Sequence, residues 1–163
     1  MKLSEGVEWG VHCGVLLATL PAGSTLSGAA LAEFHGVSES YLVKHLQALV
    51  RAGILESVPG PKGGFRLARP PEQVTVLEVI EAIEDPEPAF RCTEIRQRGP
   101  AALEPSAYRL PCVVHATMLR ADAAWRAALR AQTLADIAAT VADRADPRGM
   151  QQAQPWLEDN VRR

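Results

Sequence analysis

Apolar side chains recur every three or four residues along three early segments, and this spacing predicts three helices. They cover about residues 4–20, 27–34 and 39–51. Ser27 and Ser38 stand where the N-caps of the second and third helices are expected, because a serine oxygen accepts bonds from the first free backbone amides. Two helices joined by a short turn that contains a glycine are typical of a helix-turn-helix.

A different pattern follows, with two short runs of strand-forming residues at 54–58 and 65–68. The six residues between them are rich in glycine and proline and carry Lys62, so the sequence predicts a β-hairpin with a basic tip. A further helix is predicted to begin at Thr75, where Thr75 and Glu78 have the spacing of a capping box. A hairpin placed after a helix-turn-helix is the arrangement of a winged helix.

The predicted fold is therefore mostly α with a small β-hairpin: a winged helix-turn-helix DNA-binding domain (1–84) and a long C-terminal dimerisation helix. Residues 85–111 are irregular and rich in proline, and loops of this length are usually functional or disordered. Residues 112–143 are predicted to form the dimerisation helix and a following short helix, and residues 144–163 a loosely held tail. The long helix carries a stripe at alternating spacings of four and three, which favours a partner helix: Val114, Met118, Ala121, Trp125 and Ala128.

Charge supports a nucleic-acid partner for the winged helix. Residues 38–70 hold five basic and two acidic side chains, a local charge of +3, in a chain whose net charge is −2. A recognition helix presents side chains near its start to the major groove, and a basic wing reaches phosphates or the minor groove. The candidate DNA-binding residues are Ser38, Ser40, Tyr41, Lys44, His45, Lys62, Gly63 and Arg66.

Other classes of protein find little support. The short apolar run at residues 15–20 is neither a signal peptide nor a membrane span, so we expect a cytoplasmic protein without a membrane partner. Three cysteines are an odd number, which argues against a structural disulfide framework. The chain has no Walker loop, dinucleotide fingerprint or nucleophile motif, and we therefore predict that it is not an enzyme.

Four stretches, residues 37–44, 49–53, 60–70 and 75–83, resemble the Rrf2 family of bacterial winged-helix regulators. The resemblance covers about residues 1–140. It implies a homodimeric transcription regulator that binds double-stranded operator DNA. The family includes the iron-sulfur sensors of the IscR, NsrR and RsrR branches, so the resemblance also raises the question of a cluster.

Family members that bind a cluster typically carry three cysteines in the loop, whereas this chain has only Cys92 and Cys112 there. A 2Fe-2S cluster needs four protein ligands. Glu8 and His12 lie one helical turn apart and could offer an oxygen and a nitrogen. The chain is most similar to the redox-sensing RsrR branch. That resemblance implies a 2Fe-2S cluster held by Glu8, His12, Cys92 and Cys112, with the two pairs from different subunits, and Trp9 is the candidate redox relay.

Several alternatives stay open. The Cys112-x-x-His115 spacing resembles the IscR branch, which makes His115 a rival to His12 as the nitrogen ligand. The same four ligands would suit tetrahedral zinc, and Cys92 with Cys112 could instead form a reversible disulfide beside a metabolite-binding loop. An electron-transfer protein that does not bind DNA is the least favoured alternative. Cys13 is expected to be a small buried apolar residue, and Glu8 with His12 an ordinary surface pair if no metal binds.

Overall fold

The computed structural model describes residues 3–84, 88 and 90–162, and it has the mostly helical fold with one hairpin that the sequence predicts. The described residues form two compact units, one of residues 88 and 90–128 and one of residues 3–84 with 129–162. The described residues form these elements: α1 (Glu5–Ala18), α2 (Gly28–His35), α3 (Glu39–Arg51), β1 (Leu55–Val58), β2 (Gly64–Leu67), α4 (Val76–Ile83), α5 (Val113–Arg130), α6 (Leu134–Arg144) and α7 (Pro147–Asn160).

Helix α1 is the centre of the larger unit, and three buried glycines four residues apart line its contact face. A side chain at Gly10 would collide with Ile83 of α4, and one at Gly14 would come within 2.9 Å of Leu134 of α6. A side chain at Gly6 would strike His45 of α3. The absence of side chains along this row lets three helices approach the α1 backbone closely.

The helix-turn-helix is formed by α2 and α3, whose leucines are completely buried. Ser27 caps α2 as predicted, because its Oγ accepts a hydrogen bond of 3.1 Å from the amide of Ala30. Ser38 occupies the N-cap position of α3 but makes no capping bond, and its Oγ lies 3.2 Å from the Oγ of Ser40. The predicted capping by Ser38 is therefore wrong in this structure, since the two hydroxyls pair with each other.

The wing is an antiparallel pair of strands in which Leu55 lies opposite Leu67 and Val58 opposite Gly64. Leu26, just before α2, adds a bridge to Phe65 through two backbone hydrogen bonds of 3.1 and 2.8 Å. These bonds join the wing to the helix-turn-helix. After the wing, α4 begins at Thr75 with the capping box that the sequence predicts.

The expectation of a loosely held tail from residue 144 is wrong, because residues Pro147–Asn160 form α7. Asp146 caps the helix and Pro147 occupies its first turn, where proline is favoured. The ring of Trp156 lies 5.1 Å from the ring of Phe34 on α2, and Arg162 pairs with Thr25 in a short bridge. None of the helices in the described residues is long and apolar enough to cross a membrane.

The smaller unit contains α5 up to Ala128 and the described part of the irregular segment before it. Its described part includes two single-turn 3-10 helices, Ile95–Gln97 and Pro105–Ala107. Arg96 organises the segment: its guanidinium lies 5.2 Å from the Tyr108 ring and donates a hydrogen bond of 2.7 Å to the carbonyl of Leu110. The Tyr108 hydroxyl donates in return to the carbonyl of Arg96 at 2.7 Å. Helix α5 has no buried residue within the chain.

Candidate nucleic-acid interface and metal-ligand residues

The outer face of α3 is polar and exposed. Ser40 and Lys44, two of the candidate DNA-binding residues, lie on it. Gln47 and Arg51 continue the same face at spacings of three and four residues, and both are exposed. The sequence analysis missed these two, although their spacing from Lys44 already indicated them. Together the four side chains form a row that suits the major groove.

Tyr41 and His45 lie on the side of α3 that faces α1. The Tyr41 side chain is 65% exposed, whereas His45 is half-buried against Gly6 and meets the edge of the Trp9 ring at a centroid distance of 6.2 Å. All three aromatic side chains line one cavity of about 570 Å³. Trp9, the candidate redox relay, is partly buried and packs against the core.

Lys62 is exposed at the tip of the wing, and the residues beside it shape the turn. Gly63 is buried, and a side chain there would collide with the carbonyl of Val58. Arg66 forms a cross-strand ion pair with Glu56, at 2.9 Å between Nη2 and Oε2. Exposed ion pairs of this kind contribute little stability, so a DNA phosphate could replace the Glu56 carboxylate.

Glu8 and His12 are both exposed, one turn apart on α1. The imidazole of His12 lies 5.8 Å from that of His35, between ring centroids. Burial, and then the charge of His12, lower the pKa of His35. Its Nε2 is buried and has no hydrogen-bond partner in the part of the chain that the structure describes. His35, which the sequence pattern did not single out, is thus a neighbour of the candidate ligand His12.

The smaller unit brings Cys92 and Cys112 together at the start of α5. Backbone hydrogen bonds from His115 and Val114, with a bond to Cys92, lower the pKa of the Cys112 thiol. The positive charge of Arg96 adds to this effect. A thiolate at a helix N-terminus is favoured by the free amides there and by the helix dipole. The lowered pKa of Cys112 favours its thiolate, which is the form that binds a metal.

His115 lies in the same unit, one turn into α5. Its Nδ1 is buried and has no hydrogen-bond partner among residues 90–128 or elsewhere in the described chain. The Phe90 ring packs beside it at 6.2 Å between centroids. An unpartnered imidazole nitrogen near two cysteines keeps His115 as a rival nitrogen ligand.

The donors fit an iron-sulfur cluster by type, as two incomplete pairs. Cys92 and Cys112 supply two sulfurs, and Glu8 and His12 supply an exposed oxygen and nitrogen. Within residues 3–84, 88 and 90–162, no group of three or more His, Cys, Asp or Glu side chains is arranged to hold a metal ion. Neither pair alone completes the four ligands that a 2Fe-2S cluster needs.

Comparison with known proteins identifies the family. Residues 3–140 match the profile of Rrf2, which is described as an iron-dependent transcriptional regulator. The chain belongs to the Rrf2 family. Rrf2 regulators bind DNA and are typically dimeric, and the relatives are transcriptional regulators, not enzymes, in agreement with the sequence analysis.

Individual Rrf2 relatives cover nearly the whole chain. YwgB of Bacillus subtilis (strain 168) is 29% identical over 162 residues, which are 99% of this chain and 98% of YwgB. The structure of T. potens IscR is similar with a TM-score of 0.62 and 27% identity, over 84% of this chain and 85% of that one. CymR, the global cysteine regulator of B. subtilis, has the same fold, with a TM-score of 0.67 and 24% identity over 86% and 98% of the two chains.

Proposed function

We propose that this chain is a homodimeric transcription regulator of the RsrR type, which senses cellular redox state through a 2Fe-2S cluster and binds a pseudo-palindromic operator. The observation that carries the proposal is the Cys92–Cys112 pair at the start of α5, with a lowered pKa at Cys112. Two thiolates require two further ligands. Glu8 and His12 are the exposed oxygen and nitrogen donors that we assign to complete the set.

The DNA interface consists of the outer face of α3 and the tip of the wing. We assign the exposed Lys44 and Gln47 to base edges, and the exposed Lys62 to a phosphate. Cationic side chains that neutralise phosphates release counterions from the DNA, so operator affinity should fall as the salt concentration rises. Tyr41 and His45 lie beside α1, which gives α1 a direct contact with the recognition helix.

A bound 2Fe-2S cluster supplies a reversible one-electron change, and ligation by nitrogen and oxygen raises its reduction potential relative to four thiolates. The chain's contribution is to hold it. Cys92 and Cys112 bind from the loop of one subunit, and Glu8 and His12 from α1 of the other. Such ligation links α1 of one subunit to the cysteine loop of its partner. The Trp9 ring contacts the His45 ring, and Trp9 is the proposed relay of the redox signal from α1 to α3.

The dimer is proposed to form through α5. Val114 is 60% and Met118 40% exposed, and both belong to the predicted apolar stripe. Apolar side chains in such a row favour a second helix over water. A regulator that binds operator DNA acts in the cytoplasm, where thiols stay reduced.

Anaerobic purification followed by iron and acid-labile sulfide analysis tests the cluster. We expect two irons and two sulfides per site and a visible spectrum that dithionite bleaches reversibly. Colourless protein that contains zinc would favour the structural-metal alternative. Colourless, metal-free protein with a Cys92–Cys112 disulfide after oxidation would favour a thiol switch.

The ligand set is tested with Glu8→Ala, His12→Ala and His115→Ala. We expect loss or a spectral change of the cluster in the first two variants and little change in the third. The reverse result for the two histidines would assign His115 as the nitrogen ligand. This is the main competing arrangement, because the buried Nδ1 of His115 has no hydrogen-bond partner among the described residues. The DNA interface is tested separately by measuring operator affinity with fluorescence anisotropy at increasing salt concentrations. A lack of sequence-dependent binding would favour an electron-transfer role.

A further inference from the structure

The turn of the wing is held from outside the hairpin. Three consecutive carbonyls accept hydrogen bonds from two side chains that are distant in sequence. The Nη1 of Arg162 donates to the carbonyls of Pro61 and Gly63, at 2.8 and 3.3 Å. The Oγ1 of Thr25 donates to the carbonyl of Lys62, between them, at 3.1 Å. The backbone on both sides of the wing-tip lysine is thus fixed.

Thr25 and Arg162 are themselves held in place. Each donates its backbone amide to the other's carbonyl, at 2.9 and 3.0 Å. The next residue, Leu26, bonds to Phe65 of β2, so Thr25 and Arg162 extend the wing sheet sideways. Helix α7 delivers Arg162 to this position, and Trp156 anchors that helix on α2.

The turn needs such support because of its composition. It contains Gly60, Gly63 and Gly64, and Gly60 and Gly64 have φ angles of 100° and 153°. Glycines have the largest backbone freedom to lose when a turn becomes ordered. The bonds from the charged guanidinium are charge-assisted, which makes them stronger than bonds between neutral groups. A turn that is ordered before binding loses less entropy on the DNA.

We propose that Arg162 and Thr25 are positioning residues for the wing, which fix the turn so that Lys62 meets a DNA phosphate. The inference rests on the proposed DNA binding. Arg162 acts through Lys62 and not as a phosphate ligand of its own, because its guanidinium donates to the two carbonyls that flank Lys62. Helix α7, which the family resemblance to residues 1–140 does not include, thereby becomes part of the DNA-binding apparatus.

A double-mutant cycle on the full chain tests whether Arg162 acts through Lys62. Operator affinity is measured for the wild type, Arg162→Ala, Lys62→Ala and the double variant. We expect Arg162→Ala to weaken binding about tenfold, in line with the loss of hydrogen bonds to a charged group. In the Lys62→Ala background the same change should have almost no effect. An equal loss in both backgrounds would overturn the proposal, because Arg162 would then act independently of Lys62.

Hydrogen exchange in the free protein provides a readout that does not depend on DNA. The amides of residue 60 and residues 62–66 should exchange faster in Arg162→Ala and in Thr25→Val, which removes only the donor to the Lys62 carbonyl. Arg148→Ala is the matched control, since Arg148 also lies on α7 but is 88% exposed and pairs with Asp146. Unchanged exchange in the two variants would overturn the tether. Absence of operator binding by the wild type, with faster wing exchange in the variants, would instead overturn the proposed function and leave Arg162 and Thr25 with a structural role only.

Discussion

At the scale of single residues, the spacing of small side chains decides how α1 packs. Gly6, Gly10 and Gly14 show no apolar periodicity, so the hydrophobic pattern alone did not reveal that they form a contact face. Cys13 was predicted to be a small buried residue, and this is confirmed by its complete burial. The position of the His45 ring over Gly6 depends on how α3 crosses α1, which no local pattern specifies.

Gly6→Ala tests this packing. The added methyl group would collide with the His45 ring, and overpacking of this kind costs about 1–3 kcal/mol of unfolding free energy. Gly149→Ala on α7 is the matched control, because no atom lies within 4 Å of the added group, and it should be neutral or up to about 1 kcal/mol more stable. Urea denaturation measures both. Equal stability of the two variants would show that His45 does not rest on α1.

The cysteines should differ sharply in reactivity in the metal-free protein. Burial raises the pKa of the Cys13 thiol to about 12, whereas hydrogen bonds from the His115 and Val114 amides lower the pKa of Cys112. The thiolate is the reactive form. Mass spectrometry after brief iodoacetamide treatment at neutral pH should therefore find Cys112 alkylated and Cys13 modified only in urea. Native alkylation of Cys13 would contradict the packing of α1.

At the scale of elements, sequence was most informative where one segment determines its own structure. The capping box at Thr75 and the hairpin around Lys62 were predicted from local spacing and were observed. Helix α7 was missed because its stability comes from distant partners: Trp156 packs on Phe34, and Arg162 bonds to Thr25. A proline-rich and glutamine-rich segment gives no local sign of such contacts.

The capping box of α4 should contribute measurable stability that depends on pH. Thr75→Ala should cost about 1 kcal/mol of unfolding free energy. Burial alone would raise the pKa of Glu78, but hydrogen bonds from Arg69 and Thr75 outweigh it and lower the pKa below its ordinary value of 4.5. Because the folded pKa is the lower one, the contribution is present above pH 4.5 and is lost as pH falls through the folded value.

Urea titrations of the wild type and Glu78→Gln between pH 3 and 7 would measure this dependence. The stability difference between them should be largest at neutral pH and should shrink in acid. Glu72→Gln, at an exposed position in the preceding turn, controls for the change in net charge. A difference that stays constant across the range would mean that the Arg69–Glu78 ion pair is not formed in solution.

At the scale of the whole molecule, neither the sequence nor a single subunit shows how the two pairs of candidate ligands would form one complete set. Glu8 with His12, and Cys92 with Cys112, were each predicted from spacing or resemblance. The first pair is exposed on α1, and the second is assembled by the loop before α5. In the proposed arrangement the two pairs meet only in the dimer, because a ligand set shared between subunits is not specified within either of them. The proposed cluster therefore requires the dimer.

The dimer proposal predicts that charge on the α5 stripe separates the subunits. In Val114→Glu with Met118→Glu, two carboxylates per subunit would enter an apolar interface. An uncompensated buried charge costs about 3–5 kcal/mol, so the dimerisation constant should fall at least about 100-fold. Ala123→Glu is the control, because nine residues place Ala123 half a turn from Val114 on the same helix. Analytical ultracentrifugation should find monomers only for the double variant. The double variant should also lose affinity for the full operator but keep its affinity for a half-site. A double variant that remains dimeric would exclude this face of α5 as the interface.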